Sequence, residues 1–321
     1  MKKVLPSLLS FFFLFALLPV QAQETARKKI RTIVIDPGHG GQDPGAKGLI
    51  STEADVSLAV SLKLGKALEK EFPEIKQVFT RTEDVLPGNK TNIDQALRYR
   101  ADLANSSGGD LFIAVHCNSA GRKPGGWYAQ RVVRYETRTK KVRVKKKWVT
   151  KKYKHPIYEN YWVENHVKGT ETYIWAVNKN DAKVNSMSHT GDYYGEIDST
   201  STIELPDPSD PAEKARMLIY TLNYFRKSLN LASLIEKHFA EAGRVSRGVK
   251  QRNDKGIWVL QATGMPSILV EIGFISNKEE EEYLNSEEGQ NTIVSNIVSA
   301  LRTYIYQAEG RAAEKDETKP F

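Results

Sequence analysis

Short, almost uninterrupted apolar runs alternate with amphipathic stripes along this chain, and that alternation constrains its fold more than any other feature. A run without polar interruption is a strand covered on both faces, the situation of strands in a mostly parallel sheet between helices. Ile33-Val34-Ile35 is the first such run and stops at Pro37-Gly38. A helical stripe follows over Glu53 to Phe72, with Val56, Leu64 and Leu68 on its apolar side. QVFTRTED reads as a second strand, and Thr91-Asn92-Ile93-Asp94 leads into a helix from about Leu97 to Ser106. DLFIAVHCN, GTETYIWAV, GIWVLQAT and SILVEIGF read as further core strands. Ala212 to Ala242 reads as one or two amphipathic helices, and NKEEEEYLN and Gly289 to Tyr306 as the closing ones. The fold class expected is α/β, a single mostly parallel sheet flanked by helices on both faces, with surface insertions.

The 321 residues are enough to bury one large core. One domain is expected over 28–308, with insertions at about 121–168 and 178–227 and a flexible charged tail over 309–321. Lys2 and Lys3 precede the apolar run LPSLLSFFFLFALLPV, which ends near the small residue Ala22. Residues 1–22 therefore read as a cleaved export signal, and the mature chain is expected in the periplasm or outside the cell. Cys117 is the single cysteine, which excludes an internal disulfide and a thiolate metal cluster and fits a buried filler.

Charge is distributed unevenly. Between Arg122 and Lys154 there are 14 Lys or Arg and one acid, Glu136, a local +13 in a chain of net +8, so the remainder carries −5. VRYETRTKKVRVKKKWV alternates in part, so an exposed β-hairpin is expected here, with attraction to anionic envelope polymers as one role and plain solvation as the other. An exported chain without an aromatic base-stacking platform points away from nucleic acid.

The glycine-rich loop TIVIDPGHGGQDPGAKG looks at first like a phosphate cradle. The spacing Gly40 to Gly45 fits, but Ala46 stands where a P-loop needs lysine and no hydroxyl follows. A metal site fits better. His39 and His116 both follow or end apolar strands, and Glu53 begins the helix after the His39 strand, so all three fall at the C-terminal edge of one sheet. Two histidines and a glutamate suit zinc and leave a position for water. Glu271, inside LVEIGF, is a carboxylate that is costly to bury without a task; it is placed to take a proton from water and return it to a leaving amine. Taken singly, each has an ordinary explanation: a turn or core histidine, a helix-start charge, a carboxylate paired with an arginine. Asp36 and Asp43 remain open, as partners of the second ring nitrogen of His39 or as turn caps.

At these residues the chain resembles the zinc-dependent N-acetylmuramoyl-L-alanine amidases of the cell wall. IDPGHGGQDPGAKG, EADVSLAVSLKL, TRTED, LRYRADLAN, DLFIAVHCNSA and MPSILVEIGFISNKEE carry the resemblance in order. It implies His39, Glu53 and His116 as ligands of Zn2+ and Glu271 as the catalytic glutamate. It implies Arg81, Arg98 and Asn118 as substrate-binding or site-shaping residues. The implied reaction cleaves the amide between N-acetylmuramic acid and L-alanine of the stem peptide in peptidoglycan, for cell separation or wall turnover; the chain is expected to act as a monomer. It also implies that part of 178–227 blocks the metal, through Glu196, Glu204 or Glu213, until a protein activator withdraws it. An inactive peptidoglycan-binding or regulatory protein, or an exported zinc peptidase cutting the stem peptide, are the competing classes.

Overall fold

The computed structural model describes residues 29–176, 211–253 and 256–310. The expected export signal, residues 178–210 with Glu196 and Glu204, and the tail beyond 310 lie outside the described residues, as does the side chain of Glu213. No helix among the described residues is long and apolar enough to cross a membrane.

The elements run β1 (Thr32–Pro37), α1 (Glu53–Glu71), β2 (Lys76–Phe79), α2 (Ile93–Ser106), β3 (Leu111–Asn118), β4 (Gly126–Val144), β5 (Lys147–Glu164), β6 (Thr170–Ile174), α3 (Pro211–Glu241), β7 (Ser246–Gln251), α4 (Trp258–Ala262), β8 (Ser267–Phe274), α5 (Lys278–Asn285) and α6 (Glu287–Glu309). Among the described residues, six strands form one sheet in the order β2-β1-β3-β8-β6-β7, and β4 and β5 pair only with each other. Four of the five pairings in the main sheet are parallel; β6 against β8 is the antiparallel one.

Side chains alternate across the sheet and divide the core in two. Ile33, Ile35, Ile113, Val115, Val270 and Ile272 pack against α1, α3 and α6 through residues such as Leu64, Phe239 and Ile297. Val34, Phe112, Ala114 and Leu269 face the other way, toward α2, α4 and Trp175 through Ala104, Val259 and Leu260. Helices therefore cover both faces, as the apolar runs require.

Local signals explain several boundaries. Thr52 caps α1 through a capping box with Asp55, so the helix starts at Glu53 and aims it at the sheet edge. Asn92 caps α2, which begins at Ile93, a turn earlier than the apolar pattern indicates. One reading is corrected. GIWVLQAT is not a strand: Trp258–Ala262 form the short helix α4. A short apolar run fits a buried strand and a buried helical turn equally, and here Val259 and Leu260 lie on one helical face against the sheet. The strand actually present on that side is β7, SRGVKQ, whose polar sequence fits an edge and gives no apolar signal. Residues 211–227, inside the expected second insertion, form the first half of the single helix α3, where Thr221 and Ser228 are fully buried. The basic segment forms the expected hairpin, closed by Lys145 and Lys146 at positive φ.

Candidate metal centre

Three elements deliver the ligand candidates to the C-terminal edge of β1, β3 and β8. His39 sits two residues past β1 with φ 58, a backbone region few side chains occupy without support. The support is dense. Gly40 and Asp43 exchange backbone hydrogen bonds, closing a tight turn. Arg100 donates to the carbonyl oxygens of His39 (2.7 Å) and Pro37 (2.8 Å) and to the Asp36 carboxylate. Buried Arg81 donates to the carbonyl oxygens of Pro37, Gly38, Ala54 and Glu83, tying the loop to the start of α1. Two glycines are required by close approach. A Cβ on Gly38 would lie 2.5 Å from the His116 ring, and one on Gly45 would lie 2.6 Å from both Glu53 Oε2 and the His39 ring.

The donor atoms of His39, Glu53 and His116 all lie within 4.8 Å of one another. His39 Nε2 is 3.1 Å and His116 Nδ1 2.8 Å from Glu53 Oε1. The other ring nitrogen of His39, Nδ1, lies 2.8 Å from Asp43 Oδ2, a contact that orients the ring and directs Nε2 toward Glu53. Of the two open aspartates, Asp43 is thus the ring partner. Asp36 instead accepts from Thr80 Oγ1 and Arg100. The far oxygen of Glu53 accepts from the Ala46 amide at 2.9 Å.

Glu271 is the register partner of His116 across β3 and β8. It is buried, and its Oε2 has no hydrogen-bond partner among the described residues. Both carboxylates belong to one cavity of about 420 Å³, which Asn118, Arg252 and Trp258 also line. Their electrostatics diverge. Burial pushes Glu271 up to about 8, reinforced by the negative charge of Glu53 and opposed by Arg252. Burial also acts to raise Glu53, but hydrogen bonds from His116 and His39 outweigh it and hold this carboxyl well below the usual range. Burial acts to lower His39, yet Glu53 and then Asp43 leave it raised. One carboxylate is thus fixed as an anion beside two imidazoles while the other readily carries a proton, the division of roles that separates a ligand from an acid-base group.

The donor set fits zinc: two imidazoles and one carboxylate, the Asp43 carboxylate against the far nitrogen of His39, and, among the described residues, an unpaired buried carboxylate oxygen on a residue lining the same cavity. The supporting candidates divide. Asn118 lines the cavity and donates to Glu171 Oε2 at 2.9 Å. Arg81 turns inward to the loop carbonyls, so its contacts are those of a loop clamp. Arg98 is exposed and stacks its guanidinium 5.8 Å from the Trp258 ring centroid, at the rim. Sequence reasoning passed over Arg100, two residues further along α2, and Glu171, which ties Asn118, Tyr173 and Arg247 together beside Glu271. Their signal is charge within otherwise buried elements, legible only once the elements are placed. Burial, followed by the charges of Glu53 and Glu271, raises the Cys117 thiol, which keeps it protonated and unreactive.

A sequence model of the family described as N-acetylmuramoyl-L-alanine amidase matches residues 33–303. The chain is 25% identical over 291 residues to the N-acetylmuramoyl-L-alanine amidase AmiC of Escherichia coli O6:H1, covering 89% of this chain and 55% of that protein. It is 29% identical over 272 residues to a probable N-acetylmuramoyl-L-alanine amidase, AmiB, of Haemophilus influenzae, covering 84% and 51%. The chain thus spans about half the length of these curated relatives. Among solved structures, the N-acetylmuramoyl-L-alanine amidase of Clostridium difficile 630 superposes with TM-score 0.51 at 22% identity, over 87% of this chain and 98% of that one. The CwlD amidase of Clostridioides difficile gives 0.53 at 20%, over 86% and 99%. At these identities the two structures speak for the fold.

Proposed function

The chain belongs to the N-acetylmuramoyl-L-alanine amidase family, and we propose that it hydrolyses the amide bond between N-acetylmuramic acid and L-alanine of the peptidoglycan stem peptide. The observation that carries this reading is the convergence of His39, Glu53 and His116 in one cavity with the unpaired carboxyl of Glu271. His39, Glu53 and His116 are the residues that would hold a zinc ion. When bound, such an ion supplies Lewis-acid polarisation of the carbonyl and lowers the pKa of water. Glu271 takes a proton from the attacking water and delivers it to the departing nitrogen, so that the lactyl carboxylate and a free amine on L-alanine result. Asp43 holds the His39 ring in one orientation throughout. Asn118, whose carboxamide is fixed by Glu171, lies where it can orient the substrate.

We place this activity outside the cytoplasm, following the export signal in the sequence and the relatives named above, and assign it to cell separation or wall turnover. Residues 178–210 are proposed to restrain the site until a protein activator removes them. Deleting 178–210 and measuring release from purified sacculi tests that restraint, and unchanged activity rejects it.

Mass analysis of digested peptidoglycan tests the reaction itself. Intact stem peptides with free L-alanine N-termini are expected. Cuts within the stem peptide would instead identify a zinc peptidase, and bound but uncut peptidoglycan would identify a binding protein.

A further inference from the structure

We infer that the tip of the β4–β5 hairpin docks on an anionic lipid surface and holds the hydrolytic domain at a distance from it. The hairpin leaves the domain at Gly126, eight residues beyond the cavity residue Asn118, and its strands pair with no other strand among the described residues. With 18 residues in β5, it extends roughly 55–60 Å at about 3.3 Å per residue.

The ribbon's two halves differ in chemistry. In the root half the charges are mixed: Arg131 pairs with Glu159 and Arg134 with Glu136. Between Arg138 and Lys154 there are ten Lys or Arg and no Asp or Glu. Two lysines even occupy the turn positions, Lys145 at φ 47 and Lys146 at φ 67, where Asn-Gly would fit with less strain. Within the last three residue pairs, Trp148 is 69% exposed, Val149 44% and Val144 40%.

Cations alone would suit any polyanion, or would serve only to keep the open ribbon edges from pairing with other chains. Exposed apolar side chains run along the whole ribbon, with Tyr128, Tyr135, Tyr158 and Trp162 in its root half, but at the tip Trp148, Val149 and Val144 lie among cations with no acid between them, and neither role accounts for that combination. A bilayer interface rewards both features at once: lysines meet anionic headgroups while tryptophan and short aliphatic groups enter the headgroup–acyl boundary. The charge complement is a lipid surface rather than the anionic envelope polymer that composition alone suggests. This inference does not depend on the reaction catalysed.

The test uses the mature chain with vesicles of phosphatidylglycerol and phosphatidylcholine. Co-sedimentation and a blue shift of tryptophan emission are expected with the mixed vesicles, and at least tenfold weaker partition with phosphatidylcholine alone. Trp148→Ser is expected to weaken partition several-fold and to abolish most of the blue shift. The triple change Lys145→Glu, Lys146→Glu, Lys147→Glu is expected to weaken it more than tenfold. Both variants should keep wild-type circular dichroism and wild-type hydrolysis of soluble muropeptides, which shows that the domain is intact. Absence of vesicle binding overturns the inference. So does partition unaffected by Trp148→Ser together with equally tight binding of soluble polyphosphate, which would assign the tip to a polyanionic polymer.

Discussion

Glu271→Gln separates the chemistry of the site from its construction. Gln matches Glu in size, so it fills the same buried position on β8 beside His116. It cannot exchange a proton. Positioned acid-base groups contribute roughly 10²–10⁴-fold in rate, so kcat on purified muropeptides should fall by about that factor, with KM little changed. Zinc content should stay at the parent level, because the donor cluster is His39, Glu53 and His116.

The same substitution has a second, independent signature in the metal-free protein. Glu271 is raised from 4.5 to about 8, chiefly by burial. Below pH 4.5 the carboxyl is protonated in both folded and unfolded chains and contributes no pH dependence. Between pH 4.5 and about 8 the unfolded chain releases the proton while the folded one retains it. The folded state then binds more protons, so stability falls as pH rises across this window, by up to about 1.4 kcal/mol per pH unit and by a few kcal/mol in all. Gln carries no such penalty. After chelation, urea unfolding should therefore find the variant close to the parent near pH 4.5 and clearly more stable at pH 8. A variant retaining more than a tenth of parental kcat would refute the proton-transfer role. A stability difference that does not widen between pH 4.5 and 8 would refute the electrostatic account.

Three further outcomes follow from the supporting contacts. Removing metal with a chelator, or replacing His39 or His116 by Ala, should abolish hydrolysis; added zinc should restore the chelated parent but not the variants, as read by metal analysis and muropeptide release. Arg81→Ala removes four bonds to backbone carbonyls; at about 1 kcal/mol each, it should destabilise the fold by roughly 3–4 kcal/mol in denaturant titration and weaken zinc retention. Glu281 accepts the backbone amides of Leu49, Ile50 and Ser51 just ahead of Glu53; Glu281→Ala should cost about 2–3 kcal/mol and raise the zinc concentration needed for half-maximal activity, whereas Glu281→Gln should retain part of both.

The ligand candidates were legible because each sits at a marked place in an element the sequence announces: His39 after an apolar run, Glu53 at the start of the following helix, His116 and Glu271 in runs that should hold no polar group. Their support was not. Apart from the Arg81 bond to Glu83, Arg81 and Arg100 act on carbonyls 27 to 63 residues away, and Glu281 on amides 230 to 232 residues away. Such bonds leave no local periodicity. The errors at α4 and β7 share one cause, since both lie at the periphery of the sheet. There a strand need not be apolar, and a single apolar helical turn imitates one. The partner of His39 could be chosen only in three dimensions, because Asp36 and Asp43 are both near it in sequence and only Asp43 reaches the ring.

The site is also a property of sheet register. On one face of the sheet the smaller core runs through Val34, Phe112, Ala114 and Leu269. Stepping two residues along each strand places Asp36, His116 and Glu271 on that same face, where the core gives way to the cavity. Glu171 joins them from β6 as the cross-strand partner of Glu271. A slip of one residue between β3 and β8 would turn Glu271 into the larger core and bring Val270 or Ile272 to the candidate metal centre. The apolar residues on alternate positions, Ile268, Val270 and Ile272, oppose that slip because they fill the larger core completely. The placement of Glu271 beside the three candidate ligands is therefore enforced by hydrophobic packing on the opposite face. Where a carboxylate is drawn into the sheet at such cost, the packing that holds the register is as much a part of the site as the ligands are.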